Sequence, residues 1–174
     1  PRTIIYAIDI SSSMLHLNPL RLTRIRMILQ DSLRWLKAED QFNILTFREE
    51  VEYWRDHYAP ATRELKAEAT IHFDKIVPKK TAQASDKDMI SALKSMSKDD
   101  PSIIVLWSDG ILTTAGIPDF SKIKNEVPAG TKVFAMGAEM SADFPGAVIM
   151  RTLAEQSEGE FWLVGEREGQ ESLN

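Results

Sequence analysis

Cysteine is missing altogether from the 174 residues. That excludes a disulfide scaffold and a thiolate metal site, and it leaves the compartment open. Long hydrophobic runs are missing too. The longest, such as Ile103–Trp107, are strand-sized and fall far short of the roughly 20 residues a membrane helix needs, so no direct membrane contact by this domain is expected. An excess of positive charge is also lacking: 21 Lys and Arg stand against 26 Asp and Glu, for a net charge of −5. A nucleic-acid binder usually presents a basic field, so nucleic acid is not an expected partner. The three histidines, His16, His57 and His72, are scattered without metal-ligand spacing and read as surface or half-buried residues. No stretch reads as a secretory leader. The chain opens at Pro1 and enters a strand almost at once, which reads as a domain excised from a longer protein.

What is present is a globular composition, 43% hydrophobic, in a length that suits one domain. Thr3–Ile8 and Ile103–Trp107 are apolar without polar alternation, the pattern of strands covered on both faces. Leu22, Ile25, Leu29, Leu33 and Leu36 recur at helical spacing, with Arg21, Arg24, Arg26 and Arg34 forming a solvated basic face. Gln41–Phe47 reads as a second strand and Val51–Trp54 as an antiparallel edge, with Tyr53 and Trp54 packed along it. Helices are expected over Ala61–Ile76, Asp86–Met96, Asp119–Val127 and Ala147–Ser157. The last is closed by Gly159 as the residue beyond the cap. Lys132–Met136 and Phe161–Val164 complete the strands. Trp107, in mid-strand, is expected in the core. Residues 1–165 form the domain, and 166–174 read as a polar, disordered tail. Strands alternating with helices predict an α/β fold, a doubly wound, mostly parallel sheet with helices on both faces and one antiparallel edge strand.

In such sheets ligands bind at the carboxyl ends of the strands, so the residues just after the strands carry the information. Two strands run into an aspartate, Asp9 and Asp109. If those strands are neighbours, two carboxylates meet at one edge, an arrangement that a hard divalent cation relieves. The hydroxyls of Ser11 and Ser13 are placed to complete an oxygen cage, with Ser12 pointing elsewhere.

Asp9-x-Ser11-x-Ser13 after a hydrophobic strand, with Ser108-Asp109-Gly110 after a second, resembles the DxSxS and second-aspartate motifs of von Willebrand factor A (VWA) domains. The resemblance spans nearly the whole chain. It implies a six-stranded sheet in the order 3-2-1-4-5-6. It also implies a metal-ion-dependent adhesion site (MIDAS) on the rim, where Asp9, Ser11, Ser13 and Asp109 hold Mg²⁺ or Mn²⁺ and a partner protein's carboxylate supplies the last ligand. Leu15 and Leu17 are candidate partner-contacting residues on that rim. The isolated domain is expected to be monomeric.

The family pattern also has a third-loop threonine, commonly in Gly-Gly-Thr. The loop here, Lys79 to Asp88, contains no glycine, and Ser12 stands where the first motif usually has Gly. An ungapped alignment puts Lys87 at the threonine position, and shifted alignments put Ser85 or Thr81 there. If Lys87 points inward, its ammonium neutralises the two aspartates and the site is a degenerate, metal-free scaffold. If Ser85 to Asp88 is a helix-capping box, Lys87 faces solvent.

An enzyme is the remaining class. A haloacid dehalogenase-like phosphatase also places an Asp after its first strand, but it needs a second Asp two residues on, where Ser11 stands. The first turn lacks the glycines that admit a pyrophosphate, and no G-x-S-x-G nucleophile turn is present. The reading is a non-enzymatic interaction module. Its short loops favour a compact bacterial, extracytoplasmic member of the family.

Overall fold

The computed structural model describes residues 1–11, 14, 19–48, 50–76, 86–110 and 120–165, with backbone alone at 19–23, 86–88, 120 and 122. In chain order these residues form β1 (Thr3–Asp9), α1 (Pro19–Trp35), β2 (Gln41–Phe47), β3 (Val51–Tyr53), β4 (Ala59–Pro60), α2 (Arg63–Lys75), α3 (Asp86–Ser97), β5 (Ile103–Ser108), α4 (Phe120–Lys124), β6 (Lys132–Ala138), α5 (Pro145–Gln156) and β7 (Glu160–Val164). The expected tail at 166–174 lies outside the described residues.

The sheet runs β3-β2-β1-β5-β6-β7, with β4 also paired to β2. Leaving β4 aside, this is the expected 3-2-1-4-5-6. The sheet has seven strands rather than six because Ala59 and Pro60 add a two-residue antiparallel pairing against Phe42 and Gln41. So short a piece, half of it proline, carries no strand pattern in the sequence. β2, β1, β5, β6 and β7 are mutually parallel, and β3 is antiparallel to β2.

Strict alternation sends successive side chains to opposite faces. Ile5, Ala7, Ile104 and Leu106 join Met89, Leu93 and Met96 of α3, Ile123 of α4, and Met150 and Leu153 of α5. Ile4, Tyr6, Ile8 and Val105 join Ile25, Leu29 and Leu33 of α1 and Phe73 of α2. Both faces of β1 and β5 are therefore dry, which is why these two strands read as unbroken apolar runs. Trp107 is fully buried, as expected. Trp54 is half-buried beside the edge and stacks on Phe42, with ring centroids 5.6 Å apart. On α1, Arg24 and Arg34 are exposed, whereas Arg26 donates to the Ile76 carbonyl at 3.0 Å.

The ends of α4 and α5 depart from expectation in an informative way. Of the helix expected over Asp119–Val127, the described residues from Phe120 onward are helical at Phe120–Lys124. Beyond them Glu126 and Val127 donate to the carbonyls three residues back, at 3.2 and 3.3 Å, a tightened turn that ends the helix. After α5 the left-handed residue is Glu158 (φ +56°), not Gly159. Gly159 is needed for a different reason. A Cβ there would lie 1.9 Å from the carbonyl oxygen of Val133, so β7 can enter the sheet beside β6 only without one.

Opposite the rim, Asp40 ties the strand starts together. Its buried carboxylate accepts from the Arg2 backbone N–H at 3.0 Å and the Lys37 N–H at 2.9 Å, and it pairs with the Arg2 guanidinium. These partners, the Arg2 side chain first, hold it well below the usual carboxylate range. No helix among the described residues is long and apolar enough to cross a membrane.

Gly159→Ala is expected to destabilise the domain by about 1–3 kcal/mol, the cost of overpacking against backbone that cannot give way. Urea unfolding of both proteins measures it, and an unchanged midpoint would contradict the close β6–Gly159 contact.

Candidate cation site at the carboxyl edge of the sheet

β1 and β5 lie side by side in parallel, with Ile8 opposite Trp107. Asp9 is the last residue of β1, and Asp109 follows directly on β5. The two aspartates thus reach the same edge of the sheet. Asp9 and Ser11 are fully buried, and Asp109 is 4% exposed. Ile10 donates its N–H to the Phe47 carbonyl at 3.1 Å, and Met14 donates to the Ser11 carbonyl at 3.0 Å, so the loop is tied to β2 and folded back on itself.

Asp9 is held at both oxygens. Oδ1 accepts from the Ser11 backbone N–H at 2.9 Å. Oδ2 accepts from the Ser108 hydroxyl at 2.7 Å. That hydroxyl in turn accepts from the Gly110 N–H at 3.0 Å. Ser108 is therefore a bridge linking the first loop to the loop that carries Asp109. In the sequence it reads as a spacer between Trp107 and Asp109, and only its place in the Ser-Asp-Gly triplet hints at a role.

The electrostatics are unfavourable for two bare carboxylates. Burial, and after it the charge of Asp109, push Asp9 up to about 6, against the opposing pull of hydrogen bonds from Ser108 and Ser11. The Ser11 side chain also hydrogen-bonds to Asp9, so this carboxylate is ringed by hydroxyl and amide partners. The donors gathered here are all oxygens, the chemistry that hard cations such as Mg²⁺ or Mn²⁺ take. The residues present therefore fit a divalent cation, which Asp9, Asp109 and Ser11 would hold among the described residues. No group of three or more Asp, Glu or His suited to a metal occurs among the described residues, so a cation here would depend on hydroxyl ligands.

Of the other candidates, Ser13, Leu15, Leu17, Thr81 and Ser85 lie outside the described residues, as does His16. Lys87 sits in the first turn of α3, and its side chain is likewise outside them. His57 is exposed and His72 half-buried.

The chain matches no protein-family model. Among curated proteins it is similar to inter-alpha-trypsin inhibitor heavy chain H2 of Sus scrofa, 27% identical over an alignment of 156 residues that covers 83% of this chain and 16% of that protein. The chain thus spans a small part of the curated relatives it matches. Among solved structures it resembles a von Willebrand factor type A protein from Catenulispora acidiphila, with a TM-score of 0.72 and 16% identity over 94% of this chain and 38% of that one. It also resembles proximal thread matrix protein 1 of the mussel byssus, in a form with a zinc-occupied MIDAS motif, with a TM-score of 0.64 and 17% identity over 95% of this chain and 44% of that one. The fold is therefore that of VWA domains, an open, mostly parallel α/β sheet with helices on both faces. Its structural neighbours are VWA domains, and the likeness to them is one of fold.

Because Asp9 is raised, the folded metal-free domain keeps a proton that the unfolded chain has lost between about pH 4 and about pH 6. Its stability is expected to fall as pH rises through that window, by at most about 3 kcal/mol. Asp9→Asn should flatten this slope. Asp40, shifted the other way, should instead cost stability below about pH 4, in both proteins. Urea unfolding across pH with a chelator present checks both signs.

Proposed function

We propose that this domain is a non-enzymatic protein-interaction module that holds Mg²⁺ or Mn²⁺ on Asp9, Ser11, Ser13 and Asp109 and receives a carboxylate of a partner protein at the rim. The buried pairing of Asp9 with Asp109 carries this reading, because two carboxylates at one edge are stable in their charged forms only with a cation between them. When bound, the cation supplies a hard Lewis acid with a remaining demand for oxygen ligands. Asp9 and Asp109 supply two negative charges, enough to hold a dication without satisfying it beyond neutrality. Ser11 contributes neutral oxygen, and Ser108 fixes the orientation of Asp9. Ser11 stands where a phosphatase of related layout needs its proton donor, which supports binding rather than catalysis. The activity of any longer protein that contains this domain follows from the same reading: the rim presents the site and the surrounding loops select the partner.

A second reading rests on Lys87 in the first turn of α3. A lysine there opposes the helix dipole, which an anion beside it would offset. In that reading its ammonium occupies the cation's place and the domain is a metal-free scaffold.

Calorimetric titration of Mg²⁺ and Mn²⁺ into the chelator-treated domain separates the two. Saturable binding that is lost in Asp9→Ala is the expected result. Absence of binding in the native domain, with binding gained in Lys87→Thr, would overturn the cation reading in favour of the scaffold. Generic phosphatase and esterase substrates should not be turned over, and turnover lost in Asp9→Ala would overturn the non-enzymatic reading.

A further inference from the structure

Gly110, next to Asp109, rests backbone to backbone on the start of α5. Gly110 is left-handed (φ +70°), and a Cβ on it would meet the Met140 methyl at 2.9 Å and the Gly146 Cα and carbonyl carbon at 3.2 Å. The contact is tighter still from the other side. A Cβ on Gly146 would stand 1.9 Å from the Gly110 carbonyl oxygen and 2.6 Å from its Cα and carbonyl carbon. Gly146 is buried in the first turn of α5, behind Pro145. Met140 is 7% exposed. Its sulfur and methyl also fill the space over Gly137 of β6, at 2.8 and 3.0 Å from where a Cβ would be. The side chain thus wedges between β6 and the Asp109 loop. From Gly110 the path continues through its N–H to Ser108 and from the Ser108 hydroxyl to Asp9.

We propose that Gly146 and Met140 are positioning residues for the cation site: the first turn of α5 is the surface against which Asp109-Gly110 is set, so the placement of α5 governs cation affinity. The inference rests on the cation reading above. Each residue acts by fixing the backbone from which Asp109 projects and the N–H that orients Ser108. It follows that a shift of α5 along β6 and β7 has to move the Asp109 loop with it, because two backbones in van der Waals contact leave no room for independent motion.

The test uses Gly146→Ala, Met140→Ala and Met140→Leu in the full chain, with Phe73→Leu on α2 as a destabilising change remote from the rim. Mn²⁺ affinity by calorimetry and hydrogen exchange of the Gly110 amide in the metal-free domain are the readouts. Gly146→Ala and Met140→Ala are expected to lower Mn²⁺ affinity by about tenfold or more, in the range for groups that orient metal ligands, and to speed Gly110 exchange. Met140→Leu should recover most of the affinity, and Phe73→Leu should leave it unchanged. Folded Gly146→Ala and Met140→Ala with native affinity would overturn the inference while leaving the cation reading intact. Should Gly146→Ala fail to fold, the Met140 pair decides. A native domain that binds no Mn²⁺ overturns the cation reading and the affinity claim together, and Gly110 exchange then reports whether α5 holds the loop.

Discussion

The parallel pairing of β1 with β5 is the constraint on which the rest of the molecule depends. These strands are distant in the chain and central in the sheet, and helices cover both faces of each. Their pairing removes two long apolar runs from water, the dominant favourable term in folding. It also sets the residue after each strand at a common edge, so Asp9 and Asp109 meet as a consequence of burying Ile8 beside Trp107. The unfavourable meeting of two carboxylates is carried by the favourable meeting of two apolar strands.

Around that pair the site is built in layers. Ser108 and the Ser11 N–H satisfy Asp9. Gly110 satisfies Ser108. Gly146 and Met140 set Gly110 from behind. Each layer is more remote from the oxygens and more dependent on packing. The outermost layer belongs to α5, whose apolar face is held by Ala147, Met150, Leu153 and Ala154. A site of this kind is a property of the whole β5-β6-α5 half of the domain, not of the motif residues alone.

Fold and chemistry carry separate weight here. The likeness to solved VWA structures is one of architecture, at identities of 16% and 17%. The case for a cation comes instead from this chain's own rim: two buried aspartates, an oxygen-only donor set, and an Asp9 carboxyl lifted by burial and by its neighbour. Without that rim, the same sheet would be a scaffold whose interactions could lie anywhere on its surface.

The elements legible in the sequence were those whose burial repeats at short range. β1 and β5 follow from runs with no polar break, α1 from a leucine and isoleucine recurrence at helical spacing, and the two aspartates of the carboxyl edge from their place at strand ends. The sheet order came through the family resemblance rather than through any pattern in the residues. What stayed hidden has no local signature. The Ala59–Pro60 pairing is too short to show a period. Gly159 looks like a helix cap, yet Glu158 takes the left-handed turn while Gly159 makes room for Val133. Ser108 becomes a bridge only when β1 lies beside it, and Gly146 becomes indispensable only when Gly110 comes to rest on it. Residues close together in the chain set which segments must be buried and which polar residues stand at their ends, because periodicity and composition act within a few residues. The tertiary structure alone decided which of those ends meet and which backbones touch, because such contacts join positions far apart in the chain and leave no spacing to read.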